Sequence, residues 1–361
     1  MTGRTDADGR ASVGLGPIMM DLAGPELGPE DREVAAHPAV GGVVLFERNF
    51  VEPRQLAALA AALHRLRSPP LVIAVDHEGG RVQRFRDGFT ELPSARRIGA
   101  RYDRDRGLGR SLAEASGLVA AFELRRAGLD LDFAPVIDLG AGNEETIGER
   151  AFHADPGAVT ELARSWLRGA RRAGFVGVGK HFPGHGTARG DTHLDAVVDR
   201  RSLAALRSSD LAPFAALATS LGGVMTGHVR YPAVDSQAAV TFSEAWIRGV
   251  LRRDLRFAGI VFSDDLSMGA ARGALGSPEA RVEAALAAGC DAALVMNDRP
   301  ALVRVLDGWR PGDVPAVRDL GRLRPRRRAR APEREYHAAR ALLREHLGPA
   351  APLVPPHHEK G

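Results

Sequence analysis

Lysine is almost missing from this chain. Of its 49 basic residues two are lysine, so 47 are arginine. Lys360 is the penultimate residue, whereas Lys180 is internal and stands near the start of GKHFPGHGTARGDTHLD. A position that keeps a compact ammonium against such a bias is expected to need a point donor rather than a planar fork. Cysteine is scarcer still: Cys290 alone excludes an intramolecular disulfide and fits a reducing compartment. The opening residues do not run from a basic start through an apolar core to a small-residue cleavage site, and no apolar run is long enough to span a bilayer. The cytoplasm, away from membranes, is the expected location. The basic run GRLRPRRRAR at 321–330 lacks interleaved aromatics, which argues against nucleic-acid binding and for a solvated, arginine-rich face.

With 44% hydrophobic and 26% charged residues, the 361-residue chain has the composition of an ordinary globular protein, long enough for one large domain. Eight short apolar runs recur, ending at Asp21, Asn49, Asp76, Asp138, His181, His228, Asp265 and Asp298. Continuous runs of this length suit strands buried on both faces. Between them lie helix-like stretches: 54–66, 203–219, and 277–287, which opens with the cap signature Ser-Pro-Glu. This alternation predicts an α/β fold, a single (β/α)8 TIM-type barrel over 14–347. A doubly wound open sheet is the alternative, disfavoured because no dinucleotide glycine fingerprint follows the first run. Residues 1–13 are expected to be a flexible segment, and 348–361, rich in proline, a disordered tail.

A barrel places its chemistry at the C-terminal rim of the strands. Asp76, Lys180, His181, His228 and Asp264 all fall at such ends. In FSDDLSM a strand-end carboxylate could act as nucleophile, base or ligand, although paired acids also cap helices. Asp191, two residues before His193, could orient its imidazole for proton transfer, and Gly184, Gly186 and Gly190 would free that loop to move. VDHEGGRVQRF offers an acid, two glycines and arginines suited to a neutral polyol, or else merely a surface turn with a helix start. IGERAF adds a glycine and an arginine after the fourth strand.

Taken in order, VDHEGGRVQRF, IGERAF, GKHFPGHG, DTH and FSDDLSM resemble the signature set of glycoside hydrolase family 3, and within it the bacterial cytoplasmic β-N-acetylglucosaminidases (β-hexosaminidases) of cell-wall recycling. The resemblance covers nearly the whole body of the chain. It implies a retaining exo-acting hydrolase that takes a small carbohydrate, a muropeptide, works as a monomer and needs neither metal nor cofactor. Asp264 would be the nucleophile, His193 the acid/base and Asp191 its partner. Asp76, Arg84, Arg150, Lys180 and His181 would bind the N-acetylglucosamine unit. Thr187 and Thr192 depart from the pattern, where relatives often carry aspartate and serine. A histidine in place of the usual second carboxylate also leaves room for phosphorolysis, since a neutral base does not repel phosphate. The other readings weighed are a β-glucosidase, a metal-dependent barrel hydrolase and a binding protein without turnover. The metal reading is weakened by Pro183 and Gly184, which break a helical pair of His181 and His185.

Overall fold

The computed structural model describes residues 14–188, 190–310, 318–325 and 331–348. The expected N-terminal segment, the tail beyond Gly348 and the second half of the basic run lie outside these residues. Eight parallel strands form the centre: β1 (Ile18–Asp21), β2 (Val40–Leu45), β3 (Val72–Val75), β4 (Leu131–Asp132), β5 (Val178–Phe182), β6 (Gly223–Thr226), β7 (Ile260–Asp265) and β8 (Ala292–Val295). They pair in the order β4-β3-β2-β1-β8-β7-β6-β5. The remaining seam is closed by parallel bridges from Asp132 to Gly177 and from Val136 to Lys180. A closed ring leaves no sheet edge, so this is the (β/α)8 barrel and not the open doubly wound sheet.

Each apolar run became one of these strands because helices cover the outside and side chains fill the inside. Every residue of β1, β2, β3, β5, β6 and β8 is buried. β7 departs from this at one position, Asp264, which is partly exposed. Phe133, just beyond β4, meets Phe262 of β7 edge-to-face at 5.2 Å, a contact across the interior between strands that are not neighbours. The fourth run forms a strand of only two residues and resumes pairing at Val136, beyond Pro135, which has no N–H to donate.

The helix over 54–66 is found at Pro53–Arg65, and that over 277–287 at Pro278–Ala288, where the Ser277 hydroxyl accepts from Ala280 N at 3.1 Å. The stretch 203–219 is two helices, Leu203–Ser208 and Leu211–Leu217. Pro213 prevents one continuous helix there. In the break, the buried Asp210 carboxylate accepts from Arg201 Nη1 at 2.8 Å and Thr187 Oγ1 at 3.0 Å. The segment after Asp76 is neither a loose turn nor a helix start: His77–Gly79 and Val82–Gln83 form an antiparallel hairpin on the rim. No helix among the described residues is long and apolar enough to cross a membrane.

Candidate active site

Lys180 lies in β5 with its side chain 2% exposed. Its Nζ stands 2.5 Å from Asp76 Oδ1 and 2.6 Å from Glu78 Oε1. Glu78 also accepts the fork of Arg150, Nε to Oε2 and Nη2 to Oε1, both at 2.8 Å. Two cations thus face two carboxylates and the charges cancel. Burial alone would drive Lys180, Arg150 and Glu78 toward neutrality, yet the partners prevail. Against burial, Asp76 and Glu78 raise the Lys180 pKa. Likewise, Arg150 and Lys180 hold Glu78 well below the usual carboxylate range. One compact ammonium thus serves both acids, the point-donor role expected of a lysine kept against the arginine bias. The Asp76 side chain is 19% exposed, so a ligand hydroxyl can still reach it.

Asp132 lies at the end of β4, beside this cluster. Its Oδ1 accepts from His77 N at 2.9 Å, while Oδ2 has no partner among the described residues. Burial pushes its pKa up to about 8, so at neutral pH it carries a proton and adds no third negative charge. The His77 ring, with neither nitrogen bonded among the described residues, packs 5.7 Å from both Phe85 and Phe89. Burial lowers its pKa to about 3, so it serves as an uncharged spacer.

His181 is next to Lys180 in β5. Its Nδ1 donates to Asp138 Oδ2 at 2.7 Å, and the same carboxylate accepts the backbone N–H of His181 (3.1 Å) and His185 (2.7 Å). Asp138 therefore fixes the imidazole orientation and leaves Nε2 on the other side, 3.5 Å from Arg150 Nη2.

The two acids of FSDDLSM separate completely in role. Asp265 caps the following turn, accepting from Ser267 N (3.0 Å), Ser267 Oγ (2.7 Å) and Met296 N (3.2 Å). Burial raises its pKa to about 6. The Asp264 carboxylate instead accepts from Asp265 N at 2.8 Å and lies within electrostatic reach of three histidines. Burial opposes its ionisation, but His181, His228 and His193 together lower its pKa. Asp264 thus shares one rim with Lys180 and Asp76. His228, two residues past β6, donates from Nε2 to Asp265 O at 2.9 Å, stacks on Phe242 and has no partner for Nδ1 among the described residues.

The Asp191–His193 turn differs from all of these. The His193 side chain is 58% exposed, and its Nδ1 donates to Asp191 Oδ1 at 2.6 Å. Burial works against the Asp191 charge, yet bonds from the His193 backbone and ring lower its pKa. An imidazole held this way presents Nε2 for proton transfer. Gly269 N donates to His193 O at 2.9 Å and Ala270 N to Thr192 O at 3.1 Å, so the turn is docked on the segment that follows Asp264. The contact requires Gly269, where a Cβ would lie 2.1 Å from Leu194 O. Gly186 also serves close approach, here to Leu139 O, while Gly184 and Gly190 take positive φ.

Residues 19–315 match the glycosyl hydrolase family 3 N terminal domain. The chain belongs to glycoside hydrolase family 3. It is a glycoside hydrolase with the family's barrel. A beta-hexosaminidase of Alkalilimnicola ehrlichii is 53% identical over 293 residues, 81% of this chain and 84% of that protein. A beta-hexosaminidase of Chromobacterium violaceum is 46% identical over 348 residues, 94% of this chain and 97% of that protein. The structure of NagZ from Neisseria gonorrhoeae in complex with N-trifluoroacetyl-D-glucosamine has a TM-score of 0.85 at 40% identity, covering 92% of this chain and 98% of that one.

Of the family's expected positions, the barrel brings Asp76, Arg150, Lys180, His181 and Asp264 to one rim, with Asp191 and His193 above it. Arg84 stands outside the ion network: its guanidinium lies over the Phe46 ring at 5.6 Å and its Nε has no partner among the described residues. Sequence reasoning passed over Glu78, which joins Lys180 to Arg150, and Asp138, which holds His181. Glu78 is two residues beyond a strand-end acid, the alternation that puts both on one face, and that signal was available. Thr187 and Thr192, the two departures, both hold the loop: Thr187 on Asp210, Thr192 on His185 at 3.2 Å.

Proposed function

We propose that this protein is a retaining exo-β-N-acetylglucosaminidase. It would remove terminal β-linked N-acetylglucosamine from peptidoglycan-derived muropeptides in cytoplasmic cell-wall recycling. The observation that carries the reading is the contrast between Asp264, ionised and partly buried at a strand end, and His193, exposed and oriented by Asp191. The names of the relatives, and the glucosamine derivative bound by the Neisseria protein, support the sugar.

In the first step the Asp264 carboxylate attacks the anomeric carbon. The bond to the leaving oxygen breaks, and protonated His193 gives that oxygen its Nε2 proton. In the second, neutral His193 takes a proton from water as the water oxygen attacks the same carbon and releases Asp264. Two inversions give retention. Asp76, Lys180, His181, Arg150 and Arg84 would orient the sugar, with Glu78 keeping both cations charged.

Trapping with a 5-fluoro N-acetylglucosaminyl fluoride followed by peptide mass spectrometry tests the assignment. The peptide containing Asp264 gains the sugar mass, and Asp264→Asn loses at least roughly a hundredfold in turnover. Label on another carboxylate, or near-normal turnover of the variant, sinks it. Sugar 1-phosphate formed in phosphate buffer would make the enzyme a phosphorylase, and equal turnover of a β-glucoside would broaden its substrate.

A further inference from the structure

We infer that Asn143 is a positioning residue for the acid/base step, setting His193 through His185 and Thr192 without touching the sugar. Asn143 lies on the loop after β4 and is buried. Its side-chain nitrogen is 2.9 Å from His185 Nδ1, 3.1 Å from Ala188 O and 3.1 Å from Gly190 O, with His185 O at 3.4 Å. Its side-chain oxygen accepts from Thr146 N at 3.2 Å. Turning the amide over would set that oxygen against three carbonyl oxygens and lose the Thr146 bond, so the nitrogen faces the loop.

That orientation decides the next group. His185 Nδ1 receives a hydrogen, so the ring proton is on Nε2, which donates to Thr192 Oγ1 at 3.2 Å. Burial lowers the His185 pKa, which suits a neutral ring. Thr192 is buried and immediately precedes His193. The backbone of Asn143 is equally committed: its N–H donates to Gly186 O (3.0 Å), and its carbonyl accepts from Ile147 N (3.1 Å) and Gly148 N (2.9 Å). Gly148 opens the short turn that ends at Arg150. One side chain thus ties the loop that carries Arg150 to the loop that carries His193. The other support of the His193 turn, at Gly269 and Ala270, holds only its backbone.

The inference rests on the proposed role of His193, and its test separates the two. The probes are methyl β-N-acetylglucosaminide, whose leaving group needs a proton, and the 2,4-dinitrophenyl glycoside, whose leaving group does not. For Asn143→Ala, kcat/KM on the methyl glycoside should fall at least about tenfold more than on the dinitrophenyl glycoside. Its kcat on the dinitrophenyl glycoside should fall too and recover in azide, which displaces Asp264 from the anomeric carbon without a base and yields the glycosyl azide. Thr192→Val, which removes only the hydroxyl at the end of the relay, should show the same selectivity at about threefold, and it decides the matter if Asn143→Ala does not fold. Equal losses on both substrates, or no loss, would overturn the role of Asn143. His193→Ala is the control: without selective loss and azide recovery there, the reading of His193 itself fails.

Discussion

The two halves of the rim are built by opposite means. Around Lys180 the side chains are buried and charged, and each charge is held by another: Lys180 on Asp76 and Glu78, Arg150 on Glu78. Around His193 the ring is exposed: one carboxylate, Asp191, orients it, and the turn is docked by neutral contacts, peptide N–H groups at Gly269 and Ala270 and the Asn143–His185–Thr192 relay. A group that binds a sugar gains from a fixed position with its counter-charges in place before the sugar arrives. A group that must gain and lose a proton needs instead a fixed partner on one ring nitrogen and a free path from the other to the leaving oxygen.

Glu78→Gln strikes the charged half hardest. Removing one member of a buried ion cluster typically costs about 3–5 kcal/mol, and here two cations would be left with Asp76 alone. A large drop in the urea midpoint and a raised KM are expected, and an unchanged midpoint would show that the cluster is not what holds this side. On the neutral side, Gly269→Ala should lower the urea midpoint by less than Glu78→Gln does, since the backbone it strikes belongs to an exposed turn. Its new methyl group pushes the His193 turn off the rim, so turnover of a methyl glycoside should fall about tenfold, the low end for a proton-transfer contribution. Equal loss on a dinitrophenyl glycoside would mean that the displaced turn also disturbs sugar binding.

The last effect is one of pH. Asp132 has its folded pKa raised to about 8, above the ordinary 3.8 of the unfolded chain. The folded state therefore holds a proton that the unfolded state releases. This stabilising contribution is fully present below the unfolded value and is lost as pH rises through about 8. Urea midpoints taken at acidic and at alkaline pH should therefore differ less for Asp132→Asn than for the parent. An identical slope in both would mean that Oδ2 is not an uncharged acid.

The closed barrel was legible in the eight apolar runs because a strand buried on both faces must be continuously apolar, whatever its neighbours. Strand ends followed from the same runs, and with them Asp76, Lys180, His181 and Asp264. The break in the stretch 203–219 was half legible in Pro213, but periodicity outweighed it. Asp138 and Asn143 were not legible, since an acid or amide in a loop looks the same whether it faces water or a buried histidine. The glycines of the His193 loop were expected to give it freedom. Gly186, with Gly269 beyond the loop, instead serves docking, because close approach depends on a partner backbone distant along the chain.

Local composition by itself determined where strands would lie, which residues would reach the rim and which lysine stood apart from the arginine bias. Only the tertiary structure decided which of two adjacent acids, Asp264 or Asp265, faces the site, that Glu78 joins Lys180 to Arg150, and how the His193 turn is held. The reason is physical: burial pattern is written residue by residue along a strand, whereas ionisation and hydrogen bonding depend on groups brought together from strands far apart in sequence.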